Sequence, residues 1–304
     1  MKKTTLSVVI SAFNEEKRIA RCLESVEFAD EIIFVNNSST DTTVRIAKKH
    51  TKHIFTKENN FMLNVNKNFG FTKATGDWIL CLDADERITP ELAEEIKSKI
   101  SVDESIVNGY WIPRKNIIFG KWIQNSIWWP DYQLRLFKKG EGKFPEKHVH
   151  EMMHVHGKLE KLENPMIHEN YSSISQYLYK LDKIYTENEV KNFLEQGKKI
   201  TWIDALRFPI NDFLKTFFAQ KGYKDGLHGL VLSMLQAFYS EVVFAKIWEK
   251  QGFKEYNTHS FISDIYAESK EIGKELHYWF LTSLIHEAKS SVKKIIYKVK
   301  RKIA

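Results

Sequence analysis

Cysteine is scarce: Cys22 and Cys81 are the only two in 304 residues. Cys22 falls in a predicted helix and Cys81 in a predicted buried strand. A disulfide framework is therefore not expected, and a reducing compartment fits. Unbroken apolar runs of membrane-spanning length are lacking. The stretch from Leu227 to Trp248 is long and apolar, but His228, Gln236 and Glu241 interrupt it, which argues against a simple bilayer span. The opening MKKTTLSVVISAFNEE has the outline of a signal peptide. Its apolar stretch is too short, and Asn14-Glu15-Glu16 ends it, so it reads as a first strand. No repeat or low-complexity segment stands out. Acids are missing from residues 288–304, which hold Lys289, Lys293, Lys294, Lys298, Lys300, Arg301 and Lys302. Those seven cations equal the whole formal net charge of +7, so the rest of the chain balances. The basic excess belongs to the tail, and a nucleic-acid-binding face along the chain is not supported.

What is present is a core-forming apolar content of 43%, in a chain long enough for one large domain with an appendage or for two domains. Three short apolar runs each end in a polar burst. LSVVIS ends in Ala12-Phe13-Asn14-Glu15-Glu16, EIIFV in Asn36-Asn37-Ser38-Ser39-Thr40-Asp41, and Trp78-Ile79-Leu80-Cys81-Leu82 in Asp83-Ala84-Asp85. Each run reads as a buried parallel strand, and a helical pattern follows each burst. The first helix carries Ile19, Cys22, Leu23 and Val26 in one stripe, with Asn14 as its expected N-cap. Ser39 or Thr40 is expected to cap the second, which carries Val44 and Ala47. His53 to Thr56 reads as a third strand. Phe61, Val65 and Phe69 mark a helix bearing Lys67 and Asn68. Thr89-Pro90-Glu91 starts another, with Leu92, Ile96 and Ile100 on one face. This alternation predicts an α/β fold with a right-handed, mostly parallel sheet. Ligands bind outside the carboxyl ends of such strands, so the three bursts describe one crevice. Paired carboxylates at i and i+2 of an extended segment project to one side and suit a hard divalent cation shared with substrate phosphates.

From residue 109 the chain becomes aromatic, loop-rich and strand-like, and residues 174–250 return to helical patterning. The domains expected are residues 1–172, with a nucleotide half to about 105 and an acceptor half from about 106, and a helical, membrane-apposed region at 173–304.

SVVISAFNEE, NNSSTDTT and ATGDWILCLDADE, in that order and spacing, resemble glycosyltransferase family 2, whose members are inverting enzymes with the Rossmann-like GT-A fold. The stretch QLRLFKKGEGKFPEKHVHE is similar to the branch of lipopolysaccharide core β-glucosyltransferases. The resemblance covers roughly the first 170 residues. It implies that Ala12, Asn14 and Glu15 line a nucleotide pocket. Asn36 stands where an aspartate usually holds uracil or ribose, and Lys67 where an arginine is common. Asp83 and Asp85 would meet the ribose and the metal-diphosphate, with Mg2+ or Mn2+ as cofactor. His150-Glu151 stands at the catalytic-base motif, which makes Glu151 the base, with the acids Glu146 and Asp131 next in line. His168 matches a histidine that completes the metal site. The glutamine-arginine-tryptophan motif of processive synthases is absent, so the implied reaction is transfer of a single sugar from a UDP-sugar to a lipid-linked or lipopolysaccharide-core saccharide.

Other readings of these residues stay open. His150-Glu151-Met152-Met153-His154 also spells H-E-x-x-H, a zinc metallohydrolase motif that requires a helix, whereas Val149, Val155 and the even spacing of His148, His150, His154 and His156 suit a strand. A phosphatase would carry its D-x-D on the first strand, not the fourth. A membrane adaptor with a degenerate transferase fold is a further alternative. Trp122, Trp128, Trp129 and Tyr132 could stack on sugars or pack under a loop. Arg135 could face the diphosphate or pair with a surface acid. In the tail, Val292, Ile295, Ile296, Val299 and Ile303 interleave the cations, which predicts a basic amphipathic helix for an anionic membrane surface. The location expected is cytoplasmic, peripheral on the inner face of the cell membrane.

Overall fold

The computed structural model describes residues 3–59, 63–101, 106–146, 152–256 and 259–303. They form two compact units, residues 1–122 with 129–172, and residues 123–128 with 173–304.

The first unit begins with β1 (Leu6–Ala12), α1 (Ile19–Glu24), β2 (Glu31–Asn36), α2 (Thr43–Ala47), β3 (His53–Thr56), α3 (Leu63–Lys73) and β4 (Trp78–Asp83). It continues through β5 (Glu86–Arg87), α4 (Pro90–Ile100), β6 (Val107–Ile118), β7 (Lys121–Trp122), β8 (Asp131–Lys138), β9 (Gly142–Lys143), β10 (His154–Val155), β11 (Lys158–Lys161) and β12 (Met166–Tyr171). The main sheet runs β3-β2-β1-β4-β8-β6-β12-β5, with β11 and β7 also on β6. β3, β2, β1 and β4 are mutually parallel, and β8 enters antiparallel between β4 and β6.

The apolar runs are continuous because both faces of the parallel strands are covered. Val8, Ile10, Phe34, Leu80 and Leu82 pack on one side with Leu23 of α1 and Leu92 and Ile96 of α4. Val9, Ile33, Val35, Ile79 and Cys81 pack on the other with Phe71 of α3. Helix α3 lies very close to β1, where a Cβ on Gly70 would collide with Val9. That approach brings Lys67, one turn earlier, to the end of β4. Helix α4 starts as expected: Thr89 Oγ1 accepts from the Leu92 N–H at 3.2 Å, and Pro90 follows it. Cys22 and Cys81 are buried and unbridged.

Two expected caps are corrected. Helix α1 begins only at Ile19, and no side chain caps it. Asn14 adopts a left-handed φ of 53° and instead bonds across to the second burst. Its Oδ1 accepts from the Thr40 N–H at 2.8 Å, and its own N–H donates to Ser39 Oγ at 3.1 Å. Ser39 and Thr40 are thus occupied, and α2 starts later, after Thr42. Asparagine tolerates the left-handed region, and its amide competes well for nearby backbone groups.

The second unit holds α5 (Ile174–Lys180), α6 (Thr186–Glu195), α7 (Asp204–Phe213), α8 (Leu227–Lys250), α9 (Phe261–Glu287) and α10 (Ser291–Ile303). Residues 123–128 join it through Asp225, which accepts from the Gln124 N–H at 3.1 Å and from Asn125 Nδ2 at 3.2 Å. Helix α8 is long and apolar enough to cross a membrane by length and composition. Its Val243, Phe244 and Ile247 are buried in a core with Val190 of α6, Phe208 of α7 and Ile200.

Candidate active site

The three polar bursts converge where the strand order predicts, at the carboxyl ends of β2, β1 and β4. Ala12 accepts at its carbonyl from the Asn37 N–H at 2.9 Å. Asn36 folds the second burst: its Oδ1 accepts from the Ser39 N–H at 2.9 Å, and its Nδ2 donates to Thr56 Oγ1 at 3.3 Å. The Glu15 N–H donates to Thr43 Oγ1 at 2.8 Å. Asn14, Glu15 and Asn36 thereby knit the first two loops into one rim.

The Asp83-Ala84-Asp85 segment is a turn, not an extended strand, and this changes the expected geometry. Asp83 ends β4, and residues 84–85 turn into β5. The two carboxylates take different partners. Asp83 meets Lys67 Nζ at 2.5 Å and an Arg135 guanidinium nitrogen at 2.5 Å. Burial would raise its pKa, but Arg135 and Lys67 outweigh that and hold the carboxyl well below its usual range. Arg135 also pairs at 2.7 Å with Glu86, whose side chain is fully buried, so its partners are not surface acids. The other Glu86 oxygen accepts from the Asp83 N–H at 2.9 Å and so pins the turn.

Asp85 faces His168 on β12, with Oδ2 to Nε2 at 3.7 Å, and Arg18 at 3.9 Å. His168 is oriented from behind. Its Nδ1 lies 2.6 Å from Asn116 Oδ1, and Asn116 Nδ2 donates to Asp131 Oδ2 at 3.1 Å. Ionised Asp131 can only accept, so the Asn116 amide must present its nitrogen to Asp131 and its oxygen to His168. Nδ1 must then carry a proton, so Nε2, the nitrogen that faces Asp85, is the one open to a metal ion. Arg114 meets Asp131 at 2.6 Å, and Gln133 donates to it at 2.8 Å. Burial pushes the Asp131 pKa up, but Arg114, Asn116 and Gln133 bring it below its ordinary value.

A lone pair and a carboxylate facing each other fit a divalent cation. Among the described residues no group of three or more His, Cys, Asp and Glu could hold an ion alone. A hard ion at this pair would need further ligands to complete its shell. Lys67, Arg135 and Arg114 are already matched by Asp83, Glu86 and Asp131.

Glu151 and His150 lie outside the described residues. His154 does not stand on a helix: it is in β10 and pairs with Lys143 of β9, while Met152 and Met153 are irregular. The helical H-E-x-x-H zinc site is therefore set aside. Trp129 meets Trp122 edge-on at 5.4 Å, and Tyr132 lies under Lys161 Nζ at 4.3 Å, so these rings are engaged by the protein's own groups. Sequence reasoning missed Glu86, Arg114 and Asn116, and it offered Asp131 only as a substitute base. The available signals were the acid that directly follows Asp85 and the i, i+2 spacing of Arg114 and Asn116 on one strand face.

The family model for glycosyl transferase family 2 matches residues 7–162. The chain belongs to that family. An uncharacterised glycosyltransferase of Rickettsia typhi is 32% identical over 263 residues, covering 82% of this chain and 88% of the relative. The lipopolysaccharide core biosynthesis glycosyltransferase LpsC of Rhizobium meliloti is 25% identical over 260 residues, covering 83% of this chain and 95% of LpsC. Among solved structures, S. aureus TarS 1–349 in complex with UDP-GlcNAc is similar with a TM-score of 0.45 and 16% identity, over 84% of this chain and 93% of that one. The mannosyltransferase PcManGT from Pyrobaculum calidifontis, in complex with GDP-Man and Mn2+, has a TM-score of 0.45 and 13% identity, over 99% and 88%. The family 2 glycosyltransferase described here has the GT-A architecture expected of its sequence: a mostly parallel sheet flanked by helices, followed by a helical C-terminal region.

Proposed function

We propose that this family 2 glycosyltransferase inverts the anomeric centre as it moves one sugar from a UDP-sugar to a lipopolysaccharide-core or lipid-linked saccharide. The observation that carries this reading is the Asp85–His168 pair, with the lone pair of His168 directed by Asn116 at the mouth of the nucleotide crevice. The name of LpsC supports the acceptor class. Mg2+ or Mn2+ bound there with the diphosphate would offset the charge that builds on the leaving group. Asp85 and His168 are its protein ligands. Both Asp83 oxygens already accept from cations, so Asp83 acts by holding Lys67 and Arg135 beside the diphosphate. Asn14, Glu15 and Asn36 shape the rim that takes the nucleoside. Glu151 takes the proton of the acceptor hydroxyl, which attacks opposite the leaving group. The chain works at the cytoplasmic face of the membrane, held there peripherally by α10.

Thermal melting with a panel of nucleotide sugars tests the donor. UDP-sugars with Mn2+ should raise Tm by several degrees, because a ligand at a hundredfold excess over its Kd stabilises by about 2.7 kcal/mol. A panel in which no uridine donor shifts Tm, with or without Mn2+, would overturn the assignment.

The role of Asn116 has a separate test. Asn116→Ala frees His168 to take either tautomer, so Mn2+ binding in the presence of UDP should weaken by about ten- to a hundredfold, as for other residues that orient metal ligands. UDP binding in EDTA should not change. Unaltered Mn2+ affinity, read from the paramagnetic resonance of the free ion, would remove Asn116 from this role.

A further inference from the structure

Helix α10 docks with its polar side. Arg301 donates to Thr282 Oγ1 at 3.1 Å and lies over the Tyr278 ring of α9 at 5.3 Å. Only Tyr297 and Arg301 of the described α10 residues are half-buried, and none is fully buried. The apolar stripe points away: Val292, Ile295, Ile296, Val299 and Ile303 are 46–81% exposed. At 100° per residue, Lys293 and Lys300 flank one side of that stripe, and Lys298 and Lys302 the other. A helix packing to build a core would do the reverse. Lysines on both edges of an exposed stripe can extend to phosphates while their stems lie on apolar surface.

A cleft of about 570 Å3 lies between α9 and α10, lined by Lys270, Gly273, Lys274, His277, Lys300 and Ile303. Lys270, Lys274 and His277 stack on successive turns of α9. Gly273 leaves the wall open, since a Cβ there would meet nothing within 4 Å. Glu271 pairs with Lys274 at 2.7 Å, but both are more than half exposed, so the pair holds Lys274 only weakly. Ile303 belongs both to the cleft and to the end of the apolar stripe. The positive cleft therefore opens where the apolar stripe ends.

We infer that this cleft takes the phosphate of an anionic phospholipid while the α10 stripe lies among the acyl chains beside it. The inference rests on the peripheral membrane reading above and adds a defined headgroup site to it. Diffuse attraction would depend on the number of charges alone, whereas a site depends on which lysines carry them.

The test compares two full-length triple variants with equal charge loss, by flotation with mixed phosphatidylglycerol–phosphatidylcholine vesicles. Lys270→Gln/Lys274→Gln/Lys300→Gln removes the cleft, and Lys293→Gln/Lys294→Gln/Lys298→Gln removes charge elsewhere on α10. A basic residue near an anionic surface contributes about fivefold in affinity through charge alone, so either variant should lose up to about a hundredfold from diffuse attraction, and the cleft variant should lose at least about tenfold more. The other variant should lose clearly less. Inorganic phosphate at constant ionic strength should not release the wild-type protein, and turnover on a small soluble acceptor should be unchanged in both variants. Equal losses would overturn the cleft and leave diffuse membrane attraction standing. Release by inorganic phosphate would assign the cleft to a soluble phosphate instead of a lipid. Wild-type protein that ignores the vesicles at low salt would overturn both the cleft and the peripheral reading.

Discussion

Asp85→Ala is expected to abolish the Mn2+-dependent part of UDP binding while the protein still folds. The Asp85 side chain faces His168 Nε2 at 3.7 Å and Arg18 at 3.9 Å. The Asp85 carbonyl accepts from the Glu169 N–H at 2.9 Å, and alanine keeps that bond. Pairs of this length contribute about 1 kcal/mol or less each, so the variant should still fold. Asp83→Ala should behave differently. Lys67 and Arg135 have side-chain exposures of 8% and 7%; Lys67 would lose its ion-pair partner, and Arg135 one of its two carboxylates. Stranding buried charge costs about 3 kcal/mol or more, so this variant should melt well below wild type. Calorimetric titration with UDP, in Mn2+ and in EDTA, combined with melting curves, separates the two aspartates. A folded Asp85→Ala protein that keeps its Mn2+-dependent UDP binding would move the ion elsewhere.

Glu151→Gln should lower kcat by at least about a hundredfold with donor binding little changed, because the amide keeps the shape of the side chain and removes the proton acceptor. The structure bears on the two alternative acids. Asp131 is bound by Arg114, Asn116 and Gln133 and held below its ordinary pKa, which makes it a poor proton acceptor. Glu146 accepts from Asn68 Nδ2 at 2.6 Å. Single-turnover kinetics with saturating donor would isolate the step. Near-normal turnover in Glu151→Gln would transfer the base to another residue, and the same measurement on Glu146→Gln would then decide between those two.

Much of this protein was legible in the sequence because the relevant physics is short-range. Continuous apolar runs specify strands buried on both faces, and β1, β2 and β4 fall where those runs stand. Thr89-Pro90 marks a helix start within four residues, and the structure uses it. Polar bursts after three parallel strands locate a crevice without coordinates, because the sheet's topology leaves that edge open. The basic amphipathic pattern of residues 291–303 likewise predicts its own helix.

Tertiary structure decided which partners each polar group took. Asn14 had the composition of a helix cap, but the neighbouring loop offered it Thr40 and Ser39 instead. Asp83 and Asp85 look equivalent in sequence. A turn between them sends one to Lys67 and Arg135 and the other to His168. His168 and Asn116 are 52 residues apart, and only the register of β12 on β6 sets them side by side. Glu86 is an ordinary surface acid in composition, yet burial at a strand crossing makes it the anchor of the turn. Helical periodicity showed that α10 has two faces, but only packing showed that it turns the polar one inward. The physical reason is common to all of these. Backbone patterns follow from neighbours within a few residues, whereas hydrogen-bond and charge partners depend on which distant strands and helices the fold brings into contact.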